Sequence, residues 1–111
     1  MPWEIQYYGE SVRRELEAWP VGIRAMYARI IERMEVFGPH LGMPFTRPMG
    51  DGLFELRAKG KEGIGRVFFC TVVGHIIQIL HAFIKKSQQT PRRDLELARR
   101  RRREVRRENP Q

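Results

Sequence analysis

The sequence has little cysteine, little histidine and no uninterrupted apolar run of membrane-spanning length. Cys70 is the single cysteine in 111 residues. An internal disulfide is therefore excluded, as is a metal framework built on cysteines. A lone thiol fits a reducing cytoplasm. The three histidines, His40, His75 and His81, are scattered, and none has a carboxylate at ligand spacing. No metal centre is expected from them. His40 and His75 fall in loop or turn contexts and are assigned no role. The most apolar stretch, 67–84, is interrupted by Thr71, Gly74, His75, Gln78 and His81. Gly74-His75 reads as a turn between two strands, so no membrane span is expected. The first ten residues carry Trp3, Glu4 and Gln6 and show no basic-then-apolar leader pattern, from which a cytoplasmic location is expected.

Acidic residues are also scarce, but only in one part of the chain. Residues 1–83 hold ten Lys/Arg against nine Asp/Glu, whereas residues 84–111 hold eleven against four. The net charge of +8 therefore lies almost wholly in the C-terminal quarter. Such a field attracts polyanions, either nucleic acid or an acidic protein segment. A solvated basic tail is the alternative. A hydrophobic content of 41% supports one folded domain with a single core. The arginine run 99–103 marks a division between a domain of residues 1–98 and a basic helical extension, residues 99–111.

Trp3, Ile5 and Tyr7 alternate with Glu4, Gln6 and Tyr8, the period of a half-buried strand. Val12, Leu16 and Trp19 recur at helical spacing. Pro20 suits the first turn of a second helix, whose apolar stripe runs through Ile23, Met26, Tyr27, Ile30, Met34 and Phe37. Gly38-Pro39 ends it. Residues 40–52, rich in Gly and Pro, read as a loop. Three strands follow at 53–58, 64–73 and 75–84, joined by short turns and hence an antiparallel meander. Thr90-Pro91 opens a final helix, with threonine as N-cap. That helix runs through Leu95 and Ala98, and Arg102, where the apolar stripe should continue, predicts that it leaves the body there. The expected fold is α+β in the order βααβββα: a twisted antiparallel sheet with its helices packed on one face.

Cations inside strands require an explanation. Glu55 and Arg57 share one face of their strand, Arg66 lies in line with Ile64, Phe68 and Cys70, and His81 shares a face with Lys85. In a meander, Arg57, Arg66 and the 81–86 region converge on one side of the sheet as a basic, shallow cleft with an apolar floor. Each member also has a plain structural explanation. Arg57 can pair with Glu55 or Glu62, His81 can be a satisfied core histidine, and Lys85 and Lys86 can protect a sheet edge. Cations with few carboxylates suit RNA cleavage by the substrate's own 2′-hydroxyl. The protein then has only to position the strand, move protons and stabilise a crowded phosphate. Arginine offers two parallel donors to phosphate oxygens, and a lysine crowded by cations can act as acid or base. Phosphate binding without catalysis uses the same residue types.

The segments GLFELRAKG and GIGRVFFC, and above all ILHAFIKKSQQTPRRDLELARRR, resemble the HigB-like branch of the RelE/ParE toxin superfamily over about residues 3–105. The resemblance implies a compact RelE-like domain that cuts mRNA, usually on the translating ribosome, without metal or cofactor. It also implies a cognate antitoxin, often helix-turn-helix, that neutralises the toxin and represses their shared operon. By position, Arg57 and Arg66 match the strand arginines that the family uses on the scissile phosphate, and Lys85 and Lys86 match its basic pair. With them His81 completes the candidate catalytic set. Lys59, Lys61, Arg92, Arg93, Arg99, Arg100 and Arg102 are the candidate contacts to RNA or ribosome. Some relatives place a tyrosine or histidine near the C-terminus for proton transfer. Here none follows His81, which leaves His81, a lysine or Glu55 for that role. The related ParE toxins inhibit DNA gyrase and cut nothing, and a non-catalytic RNA- or ribosome-binding protein is the third alternative.

Overall fold

A computed structural model describes residues 1–85 and 91–110. The elements are β1 (Glu4–Tyr7), α1 (Glu10–Glu17), α2 (Val21–Phe37), β2 (Thr46–Gly50), β3 (Leu53–Gly60), β4 (Gly63–Val72), β5 (Ile76–Lys85) and α3 (Arg92–Glu108). They form an α+β domain around one five-stranded sheet in the order β1-β5-β4-β3-β2. None of its helices is long and apolar enough to cross a membrane, among the described residues.

Three expectations are corrected. First, residues 40–52 are not all loop, because β2 pairs antiparallel with β3. The connecting residues Asp51 and Gly52 both have positive φ, 54° and 79°. That is the backbone a two-residue hairpin turn requires, and Asp-Gly supplies it at little cost. Pro48 is tolerated because β2 is an edge strand. Second, the sheet is mixed: β1 runs parallel to β5, with Ile5 opposite Ile77 and Tyr7 opposite Ile79. A parallel pair needs a long connection, and here everything from α1 to β4 supplies it.

Third, the helices do not share a face. α1, α2 and the link between them bury Val12, Leu16, Trp19, Ile23, Tyr27, Ile30 and Met34 against Leu56, Ala58, Val67, Phe69, Ile77 and Ile79. α3 buries Ala98 and Val105 on the other face, against Leu53, Phe68, Cys70, Val72 and Leu80. Strand side chains alternate between faces, so β4 contributes Val67 and Phe69 to one core and Phe68 and Cys70 to the other. Both faces of the central strands are covered, which explains their nearly continuous apolar runs. Gly65 makes the first packing possible, since a Cβ there would lie 2.5 Å from the Trp19 ring.

α3 also departs from expectation at its far end. It continues unbroken through residues 98 and 102 to Glu108, and Val105 is buried. The apolar stripe skips one turn at Arg102 and resumes at Val105. Arg102 fits against the body because Gly52 has no side chain: a Cβ there would lie 2.5 Å from Nη2 of Arg102. Pro91 stands at the N-cap of α3 and Pro20 at that of α2, each one residue before the first helical position expected for it. Thr90, the expected cap of α3, lies outside the described residues.

Candidate functional site

The strand register arranges the candidate residues in three rows on the α3 face of the sheet. Residues directly opposite one another in antiparallel strands point to the same side. The first row runs Arg47, Glu55, Phe68, His81 across β2 to β5. The second is Arg57, Arg66, Phe83, and the third Lys59, Ile64, Lys85. The last two rows lie on the Lys85 side of the apolar patch that α3 covers. Arg57, Arg66, His81 and Lys85 therefore do converge, as the meander predicts. Lys86 lies outside the described residues.

Their environments differ sharply. Glu55 is fully buried, and its two oxygens are divided between two arginines. Oε1 accepts from Arg47 Nε at 2.9 Å, and Oε2 accepts from Nε of Arg66, with Nη2 of Arg66 also in contact. A fully buried carboxylate held by two guanidinium groups is out of reach of a substrate, so Glu55 is unsuited to act as the base. Arg66 is 4% exposed, and its guanidinium lies 5.6 Å from the ring centres of both Phe68 and Phe83. In this geometry the Arg66 guanidinium is paired with Glu55 and closed in by the two rings, so Arg57 is the more accessible of the two strand arginines. Arg57 is half-buried and has no ion-pair partner among the described residues. Glu55 is engaged elsewhere, and Glu62 accepts the backbone N–H of Gly22 at the start of α2.

His81 is also held. Its Nε2 lies 2.6 Å from Oδ1 of Asp94, in the first turn of α3, and its ring stacks on Phe83 at 5.5 Å. With Nε2–H donating to the carboxylate, the neutral imidazole carries its lone pair on Nδ1. The arrangement supplies an oriented proton acceptor.

Among the proposed RNA contacts, Lys59, Lys61, Arg92, Arg93 and Arg100 are exposed. Arg99 instead donates to the carbonyls of Gly50 and Met49, and Arg102 packs on Gly52. These two help fix α3 to the β2–β3 hairpin. Arg101 does the same towards β5 and β1, donating to the Leu80 carbonyl and lying 4.6 Å from the Tyr8 ring centre. Exposed arginines remain at 92, 93, 100, 103, 106 and 107, so the outer side of the helix is a basic ridge.

Sequence reasoning missed Arg47 and Asp94. Arg47 was hidden by the reading of 40–52 as loop, although Asp51-Gly52 signalled a hairpin. Asp94 could have been noticed as the acid in the first turn of a helix following the His81 strand.

The sheet's opposite side offers a different surface. An apolar groove of about 380 Å³ between α1 and α2 is lined by Tyr7, Leu16, Tyr27 and Ile31 among others. The Tyr7 and Tyr27 hydroxyls bond to each other at 3.1 Å, and burial pushes the Tyr27 phenol well above its usual range. Tyr27 stays protonated and offers no acid–base chemistry near neutrality. No group of histidine, cysteine and carboxylate side chains able to hold a metal occurs among the described residues.

No curated protein sequence matches the chain. A family model does, that of "Phage derived protein Gp49-like (DUF891)", over residues 14–103. The match takes in the second half of α1, all of α2, β2 to β5 and most of α3. It includes each of the three cation-bearing rows, so the chain belongs to the Gp49-like family of phage-derived proteins, a family known in toxin–antitoxin systems.

Proposed function

We propose that this Gp49-like protein is a HigB-like toxin of a type II toxin–antitoxin system. It cuts mRNA on the ribosome by turning the RNA's own 2′-hydroxyl on the neighbouring phosphate. A cognate antitoxin, of helix-turn-helix type, holds it in check. The observation that carries this reading is the placement of Arg57, without a carboxylate partner among the described residues, one row from the Asp94-held His81. The apolar floor between them is Phe68 and Phe83.

In this reading the steps are as follows. Arg57 pairs with the non-bridging oxygens of the scissile phosphate. Nδ1 of His81 takes the 2′-hydroxyl proton as O2′ attacks phosphorus, and Asp94 stabilises the imidazolium that forms. The P–O5′ bond breaks, and the Lys85 ammonium gives O5′ its proton. The products are a 2′,3′-cyclic phosphate and a 5′-hydroxyl. Glu55 and Arg66 hold the floor and Arg47 in place. The exposed ridge of α3, with Lys59 and Lys61, draws in the RNA backbone. A gyrase-inhibiting relative of the same fold would need neither an oriented histidine nor an unpaired arginine beside it, so the His81–Asp94 pair favours cleavage.

The test is a ribosome programmed with a defined mRNA and mixed with the purified protein. Cleavage leaving a 2′,3′-cyclic phosphate is expected. It should disappear when the scissile nucleotide is 2′-deoxy, and fall about 100-fold or more in Arg57→Ala, the scale of losing one phosphate-stabilising group. Cutting that persists at a 2′-deoxy position would contradict the mechanism.

A further inference from the structure

Two of the four carboxylates in the basic segment 84–111, Glu104 and Glu108, stand one turn apart at the end of α3. They do not face the arginine ridge. They border a polar pocket of about 400 Å³ between α3, the end of β1 and the first part of β5. Its other polar walls are Gln6, Tyr8, Gln78 and Asn109. The volume lies within the range of about 300–1,000 Å³ usual for small-ligand sites.

Gln78 is the informative member. It is only 9% exposed, yet its side-chain amide makes no hydrogen bond among the described residues. No side-chain polar atom among them is both sealed from solvent and unpaired. The Gln78 amide therefore opens onto the pocket. A buried amide is normally satisfied, and one aimed at a cavity awaits a partner.

The remaining walls say what kind of partner. The amide nitrogen of Gln6 donates to Glu4, leaving its carbonyl oxygen. The Tyr8 hydroxyl donates to Oε2 of Glu104, leaving Oε1. That bond to a carboxylate pushes the Tyr8 phenol above its usual range, so the hydroxyl keeps its proton. Asn109 donates its amide N–H to the Val105 carbonyl, leaving Oδ1. Counting these, the Gln78 carbonyl and the Glu108 carboxylate, six oxygens are left to accept against four N–H groups left to donate, two on Gln78 and one each on Gln6 and Asn109, and the two charged groups on the walls are both carboxylates. The two carboxylates repel a phosphate or carboxylate and favour a cation.

We propose that this pocket binds a donor-rich cation, a guanidinium or alkylammonium group, through Gln78, Glu104 and Glu108. A guanidinium carries five N–H donors and no acceptor, and an alkylammonium carries up to three donors and none. Either matches the walls in charge and in hydrogen-bond sense. The cation can arrive as a free polyamine or as an arginine side chain of a partner protein. This site is separate from the RNA face and does not depend on the reading given to that face.

Titration calorimetry on the full chain tests it with three probes: N-acetyl-arginine amide, spermidine and tetramethylammonium. The last has the charge without any N–H donor. Saturable binding of either of the first two is expected, with none of the third. Affinity should fall about tenfold in Glu108→Gln, an exposed change at a helix end, and also in Gln78→Leu, provided its melting temperature stays near that of the parent. Binding of spermidine alone would identify a free polyamine as the source, and binding of the arginine derivative an arginine of a partner. Absence of binding by both, equal binding of tetramethylammonium, or affinities unchanged in both variants would overturn the proposal.

Discussion

Arg57 and Arg66 face each other across β3 and β4, yet their roles separate on burial. Arg66 and Glu55 form a buried pair, and removing one partner leaves the other charge uncompensated. Arg66→Ala should cost about 3–5 kcal/mol of stability, read by denaturant unfolding. Arg57→Ala should stay within about 0.5 kcal/mol of the parent, the usual range for an arginine without such ties. Equal stability of the two variants would contradict this division. Activity lost in Arg66→Ala is thus entangled with folding, whereas activity lost in Arg57→Ala is not. At this scale the sequence was partly legible. Strand alternation placed Arg57, Arg66, His81 and Lys85 on one face without any structure. It could not show that Glu55 turns to Arg66 rather than to Arg57, nor that Glu55 is shared with Arg47, which comes from a strand that Gly and Pro disguised.

At the scale of elements, two termini show how local chemistry fixes the frame. The Glu62 side chain, in the β3–β4 turn, accepts the Gly22 N–H at the start of α2 at 2.9 Å. The backbone N–H groups there hold the Glu62 carboxyl below its usual range, chiefly through Gly22. A carboxyl lowered in the folded state contributes stability that is present above its unfolded value of 4.5 and lost as pH falls through the folded value. Glu62→Ala should therefore lower the melting temperature at pH 7, and the difference from the parent should close towards pH 3. A difference independent of pH would mean that the carboxylate charge is not what matters.

α3 is the second case, and the one where the sequence misled. Its arginine run suggested a detached tail, but Arg99, Arg101 and Arg102 face inward and Val105 is buried. Deleting residues 99–111 should consequently destabilise the domain, visible as a lower melting temperature. Replacing Arg100, Arg103 and Arg107 by glutamine should leave melting unchanged and flatten the salt dependence of ribosome binding. The reverse pattern would return the segment to the status of a tail. The Asp51-Gly52 turn, by contrast, was readable from its dipeptide, and so was the β2 strand it implies. The Pro content of 40–52 outweighed that signal because an edge strand accepts proline where an inner strand would not.

At the scale of the molecule, the sheet separates two surfaces. α1 and α2 seal one face. α3 covers only part of the other, leaving the rows of Arg57 and Lys85 beside its N-terminal end and a ridge of arginines along its outer side. The α+β class and the meander were readable from periodicity and turn residues. The distribution of helices over both faces was not, since that depends on which sides of β4 and β5 are apolar, and here both are. One fold can carry unrelated functions, so the account rests on the cation-bearing face being used for cleavage. The direct measurement is to express the chain under tight control, map new 5′ ends across cellular mRNA, and assay gyrase supercoiling in the same cells. New in-frame cuts that vanish in the well-folded Arg57→Ala variant, with supercoiling unchanged, are the expected result. Intact mRNA together with lost supercoiling would contradict the account.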